Sequence, residues 1–401
     1  MAADIKQIRE LFPQLSRKVY GKDLVYFDNA ATSQRPSCVL GRWNQISSFS
    51  NANIHRAVHI LASEATDAYE ESREAVKLYI NAASREEIVF TSGATMSVNL
   101  VAHSFGDAFV SEGDEVVVSQ AEHHSNIVPW QMMCERKKAS LKVIPVDDEG
   151  CLCELDDVIS DKTKIVAVTH ISNVLGIVNP IKDIIAKCHS KGIPVLVDGA
   201  QGIVHEKVDV QDLDCDFYAF SGHKIYAATG TGVLYGKKKW LDAMPPFMCG
   251  GEMVGNVSFN KTTFAPLPLK FEAGTQNFAG AATFKPALEI ASMLADVDMS
   301  HLQNFLFDEL RKIEGLKLYG VPRGTKAPIY SFTVEGAHHE DLALILDKMG
   351  IAVRSGQMCA EPLMDRFGVT GMVRVSLAPY NTIEEAEYFI KSLKRAINML
   401  K

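Results

Sequence analysis

No run of eighteen apolar residues occurs in the 401-residue chain, so no stretch reads as a membrane-spanning helix. Positive charge is also in short supply. The 41 Lys and Arg face 49 Asp and Glu, a net charge of −8 that argues against a nucleic-acid surface but leaves room for a local anion site. Paired cysteine spacings are missing. The eight cysteines (Cys38, Cys134, Cys151, Cys153, Cys188, Cys215, Cys249 and Cys359) are scattered as in a protein with reduced thiols, which argues against a disulfide framework. Cys151-Leu152-Cys153 has no second pair with which to build a zinc site. The stretch Met1 to Glu10 has interspersed charge and no apolar core of signal-peptide length, which sets the expectation of a cytoplasmic protein. What remains, 47% hydrophobic and 22% charged, suits a globular chain with one large and one smaller unit.

The chain has a clear rhythm. A helical stripe over Asp4 to Leu15 (Ile5, Ile8, Leu11, Phe12) precedes a short strand, Leu24 to Phe27, that ends in the polar turn Asp28-Asn29-Ala30-Ala31-Thr32. From Ile88 onward apolar strand runs alternate with helical spacing: strands at 88–90, 115–118, 141–145, 165–169, 195–197, 217–220 and 232–236, with helices at 96–105, 127–138 and 181–191. That alternation predicts an α/β fold, a mainly parallel mixed sheet covered by helices on both faces. Met244 to Phe271, rich in Gly, Pro and Met, reads as a long functional loop. The end of the chain reads as a smaller α+β domain, with strands at 329–334, 351–354 and 372–377. The expected boundaries are an N-terminal helical segment at 1–20 packing with the smaller domain, a large domain at 21–290, and a C-terminal domain at 291–401 that carries a cysteine loop.

The sharpest chemistry lies at strand ends, where ligands bind in such sheets. Lys224 follows Phe217-Tyr218-Ala219-Phe220-Ser221-Gly222-His223, and an amine held at a cleft after an apolar strand is lowered in pKa and made nucleophilic. A lysine after a strand is commonplace by itself. Asp198, leaving the strand Val195 to Val197, supplies the acid that a pyridinium nitrogen requires, so the pair suggests pyridoxal 5'-phosphate (PLP) chemistry. Thr91-Ser92-Gly93-Ala94-Thr95 joins a strand to a helix and is a phosphate cradle by mechanism or, equally in form, an ordinary capped turn. For Glu122-His123-His124-Ser125-Asn126 three roles compete: metal ligation, work on a cofactor ring, and plain loop histidines. Cys359, in Arg354-Ser355-Gly356-Gln357-Met358-Cys359-Ala360, reads either as a thiol made reactive by nearby cations or as a small buried residue. Arg354 and Arg374 are candidates for a substrate carboxylate, or for pairing with an acid.

Taken together, Asp28 to Thr32, Asn53-Ile54-His55-Arg56, Glu122 to Trp130, Val197 to Gln201, Ser221 to Lys224, Phe271-Glu272-Ala273-Gly274-Thr275 and Arg354 to Ala360 resemble the SufS-type (group II) cysteine desulfurases, class V members of PLP fold type I. The resemblance spans nearly the whole chain, in order. It implies that Lys224 holds PLP, Asp198 pairs with its ring nitrogen, Gln201 reaches the ring oxygen and His123 stacks on the ring. Ala94, Thr95, Ser221 and His223 would hold the phosphate, with Thr275 arriving from the second subunit of a homodimer. Asn173, Arg374, Arg354, His55 and Ala30 would bind substrate, and Cys359 would accept sulfur from L-cysteine. The implied partner is a sulfur-acceptor protein of the SufE or SufU type in iron-sulfur cluster assembly, with no nucleic acid, membrane or metal. The alternative is a selenocysteine lyase or another class V lyase in which Cys359 is not the obligatory acceptor. The chain departs from the family pattern at Ser355, Gln357 and Met358, where a threonine and two histidines are usual, and at Met96, where a glutamate is common.

Overall fold

Seven strands organise the larger part of the molecule: β1 (Ile88–Thr91), β2 (Glu115–Ser119), β3 (Ser140–Ile144), β4 (Thr163–Thr169), β5 (Val195–Asp198), β6 (Phe217–Ser221) and β7 (Gly232–Gly236). The computed structural model describes residues 5–320 and 326–400. Asp4, where the sequence starts its first helix, lies outside the described residues. The strands run in the order β1-β7-β6-β5-β4-β2-β3. Val116, Val117 and Val118, and likewise Val195 to Val197, are buried at every position, because side chains from helices cover both faces. β7 is antiparallel to both its neighbours, while the pairs from β6 to β3 are parallel. Its direction follows from its connection. The ten residues between Ser221 and Gly232 are too few for a helical crossover, so the chain doubles back.

The parallel strands point their carboxyl ends the same way. That edge places Ser119 before Glu122 and His123, Thr169 before Asn173, Asp198 at its own strand end, and Ser221 before Lys224. Antiparallel β7 lets β1 run in the same sense as β6, so Thr91 and the helix α1 (Ala94–Phe109) join this edge.

A second sheet, antiparallel, contains β8 (Leu316–Tyr319), β9 (Ile329–Val334), β10 (Arg354–Gly356) and β11 (Met372–Ser376) in the order β8-β9-β11-β10. It packs its own apolar cluster, including Leu306, Phe332, Leu346, Val375 and Phe389. The expected strand at 351–354 is divided: Ile351 and Ala352 pair with Val25 and Tyr26, and Arg354 begins β10. β8 carries only a four-residue pattern and escaped the reading of the sequence. The segment 244–271 contains a hairpin of Val254–Val257 and Thr262–Phe264. The N-terminal helix Ile5–Glu10 spans the two units: Ile8, Phe12 and Leu15 join the large sheet's apolar cluster, and Arg9 pairs with Glu385 at 2.8 Å. Among the described residues no helix is long and apolar enough to cross a membrane.

Candidate active site

A cavity of about 450 Å3 opens where the carboxyl edge of the large sheet meets the smaller unit, within the size range of small-molecule sites. Of the residues the sequence singles out, it brings together Ala30, Ala94, Thr95, His123, Asn173, Asp198, Gln201, Ser221, His223, Lys224, Arg354, Cys359 and Arg374. His55 and Thr275 do not line it. His55 bonds Glu70 at 3.3 Å and sets its ring edge-on to Tyr69, while Thr275 lines a smaller pocket with Ser92, Met96 and Phe271.

Lys224 sits in the short turn after β6. Burial pulls its amine down to about 8, against the opposing attraction of the Asp198 carboxylate. Asp198 is 3% exposed and takes the Ala200 N–H at 3.0 Å; burial raises its carboxyl, and that bond and Lys224 oppose the rise. His123 is pushed down to about 4, by burial first and by Lys224 second, so its ring is neutral at neutral pH. Its Nδ1 accepts from the Ser125 amide at 3.1 Å, which leaves Nε2 to carry the proton. Gln201 donates through Nε2 to the Ala30 carbonyl at 2.7 Å.

At one end of the cavity the start of α1 forms a cradle. Gly93 has φ +151°, and a Cβ there would lie 3.3 Å from Ser221 Oγ; a Cβ on Gly232 would come within 2.4 Å of the Gly93 Cα. Only glycines allow β1, β6 and β7 to close this tightly, and the sixteen-residue helix then presents its first amides and positive dipole end. Ser221 Oγ already accepts the Ala94 N–H at 2.8 Å. An anion cradle, a lysine with a lowered pKa and a buried carboxylate in one cavity fit PLP: the start of α1 would hold its phosphate, Asp198 its ring nitrogen and His123 a face of its ring.

The opposite wall comes from β10, β11 and the loop after β10. Arg374, 2% exposed, donates from Nη1 to the Asn173 carbonyl at 2.8 Å and from Nη2 to Asp28 Oδ1 at 3.1 Å; its Nε is buried without a hydrogen-bond partner. Arg354, 52% exposed, reaches the other oxygen of Asp28 at 3.7 Å. The two arginines thus share one acid. Cys359 is exposed, and it and Met358 both adopt left-handed backbone, φ 56° and 51°. Three bonds hold this turn: the His124 amide donates to the Cys359 carbonyl at 2.8 Å, Asn173 Nδ2 donates to the Met358 carbonyl at 2.9 Å, and His124 Nε2 accepts the Glu361 amide at 3.2 Å. The Met358 side chain is buried among Ala121, Val174, Leu363 and Met364.

Two residues with a part here had no role assigned from sequence. Asp28 stood only within a polar turn motif. Glu122, fully buried, accepts from Ser119 Oγ, from Asn126 Nδ2 at 2.7 Å and from the Thr169 amide at 2.8 Å, and so ties the His123 loop to β2 and β4. Burial pushes its carboxyl up to about 8 against those three donors. Its position directly before the histidine pair was the available signal. Among the described residues no three His, Cys, Asp or Glu side chains gather as a metal site.

Comparison with known proteins agrees with this geometry. Residues 25–389 match the aminotransferase class-V family. A probable cysteine desulfurase of Vibrio cholerae is 45% identical, with all of both chains covered, and a cysteine desulfurase of an Enterobacter species is likewise 45% identical over all of both chains. Among solved structures, the cysteine desulfurase CsdA of Escherichia coli superposes with a TM-score of 0.90 at 39% identity, and a cysteine desulfurase of Thermococcus onnurineus with 0.88 at 35%, each covering all of both chains. The chain belongs to the class-V aminotransferase family of fold type I and, within it, to the PLP-dependent cysteine desulfurases.

Proposed function

We propose that the chain converts L-cysteine to L-alanine and that Cys359 takes the sulfur as a persulfide, which an acceptor protein of the SufE or SufU type then removes for iron-sulfur cluster assembly in the cytoplasm. The observation that carries this reading is that Lys224 and Cys359 line one cavity from opposite walls.

When bound, PLP supplies an electron sink for the substrate's α-carbon. The chain's own residues do the rest. Arg374, which lines the cavity, pairs with the substrate carboxylate and so fixes the amino acid's orientation. The Lys224 amine, lowered to about 8, takes the α-proton and later returns one. Asp198 would give countercharge to the cofactor's ring nitrogen, and the neutral His123 would cover a face of its ring. The Cys359 thiolate attacks the substrate sulfur: an S–S bond forms, the Cβ–S bond breaks with its electron pair left on carbon, and protonation of that carbon completes alanine. A second thiol must then remove the persulfide sulfur before another cycle.

We read 21–290 as the cofactor-binding domain, 291–401 as the smaller domain that presents Cys359, and 1–20 as a segment packed against both. A homodimer in which His55 and Thr275 complete the neighbouring cleft is supported by their absence from this chain's own cavity. It is supported further by the exposed Val58, Val257 and Phe259, on segments joined by the Arg56–Glu252 ion pair at 3.0 Å. The test is quantification of alanine and sulfide from L-cysteine, with and without an added thiol acceptor. Stoichiometric alanine that becomes catalytic only with the acceptor is expected; no alanine under either condition would overturn the reading.

A further inference from the structure

The loop that follows β2 carries three successive side chains with different tasks. Glu122, fully buried, takes donors from Ser119, Asn126 and Thr169 and fastens the loop to the large sheet; Asn126 Oδ1 in turn accepts the Trp130 indole N–H at 3.0 Å, so the anchor ends in a buried ring. His123 lines the cavity beside Lys224. His124 reaches across to the smaller unit. Its amide donates to the Cys359 carbonyl at 2.8 Å, and its Nε2 accepts the N–H of Glu361, the first residue of the helix Glu361–Phe367, at 3.2 Å. The Glu361 carboxylate stands 3.8 Å from the same nitrogen, beyond hydrogen-bond distance, so the amide is the bonded partner. Asn173 holds the entry to this turn through the Met358 carbonyl, and His124 alone holds its exit to the large unit at two points. Between them Met358 and Cys359 keep left-handed backbones, which residues other than glycine retain only with support from outside.

We propose that His124 is a positioning residue for the sulfur-accepting step: by holding the exit of the left-handed turn, it registers the Cys359 thiol of the smaller unit against the cofactor wall of the larger one. This rests on the reading above that Cys359 takes sulfur from a substrate bound in the cavity. His123 and His124 are consecutive and share the Glu122 anchor, so one peptide link sets the spacing between the wall and the thiol loop. His124 bonds the backbone of that loop through a ring nitrogen and touches no reacting atom in the arrangement described. Its effect therefore falls on the alignment of thiol and substrate, which lowers kcat when lost, and spares substrate binding, which depends on other residues.

The test uses the PLP-loaded protein and three variants. His124→Ala removes the ring, His124→Leu keeps an apolar side chain without the acceptor, and His124→Gln places an amide oxygen near the position of Nε2. Two measurements are made on each: amide hydrogen exchange of the segment 355–364, and kcat and KM for alanine formation from L-cysteine with a thiol acceptor. Exchange is read without any reaction, so failure of the sulfur-transfer reading and failure of this proposal are separate results. In the Ala and Leu variants the segment is expected to exchange about tenfold faster, with β5 and the cofactor absorbance band unchanged as the sign of an intact fold. Their kcat is expected to fall about tenfold with KM within about twofold of wild type. His124→Gln is expected to recover most of both losses. Exchange of 355–364 unchanged in both the Ala and Leu variants would overturn the proposal, as would faster exchange with kcat within about twofold of wild type. A loss of kcat that comes with loss of the cofactor band, or that His124→Gln does not relieve, would equally overturn it.

Discussion

Lys224 and Cys359 face the same cavity from supports of different kinds. Lys224 follows a strand buried at every position, beside a carboxylate that is 3% exposed and a cradle closed by glycines. Cys359 stands exposed on a loop from the other sheet, in two successive left-handed residues, each costing on the order of 1 kcal/mol, held by His124 and Asn173. The cofactor floor is thus set by sheet geometry, which leaves few alternatives. The thiol is set by a few bonds between two units, an arrangement that can adjust when sulfur is taken up and given away.

That contrast can be broken most severely at the floor. Lys224→Ala is expected to lower alanine formation by about a thousandfold or more and to abolish the absorbance band of the bound cofactor. Near-normal turnover with an intact band would place the anchor elsewhere. A milder test uses pH. The amine reacts in its neutral form, and burial moves its pKa from 10.5 to about 8, so the rate of PLP uptake by the cofactor-free protein should rise about tenfold per pH unit up to about 8 and then level off. A rate still climbing at pH 10 would mean an amine with an ordinary pKa. At the rim, Gln357→His restores a side chain usual in the family at an exposed position. It is expected to leave cofactor binding unchanged and to alter acceptor-dependent turnover by about twofold at most. A larger effect would show that proton handling near the thiol depends on that position.

The same division explains what could be read in the sequence. The strand ends were legible because apolar runs of three to five residues announce the strands, and polar residues at their ends have one place to go. Lys224, Asp198, His123 and the Gly93 turn therefore meet as expected. Asp28 was passed over because its meaning depends on two arginines more than three hundred positions away, on strands of a different sheet. Met358 presents a related difficulty. In the sequence it stood only as a departure from the family's histidine, whereas its burial among Ala121, Val174 and Leu363 makes it an apolar anchor for the turn. The direction of β7 came from the length of its connection, a signal present in the sequence and left unused. His55 and Thr275, expected at the site, lie outside this cavity, His55 against Glu70 and Tyr69 and Thr275 in a smaller pocket with Ser92 and Met96.

The central claim is that Lys224 determines the cofactor and Cys359 determines the reaction. The most direct measurement is alanine formation from L-cysteine by PLP-loaded Cys359→Ala in the presence of a thiol acceptor. The account predicts a normal cofactor band with turnover reduced by about a hundredfold or more. A normal band with alanine formed at the wild-type rate would contradict it, and would make Cys359 incidental to a different class V lyase.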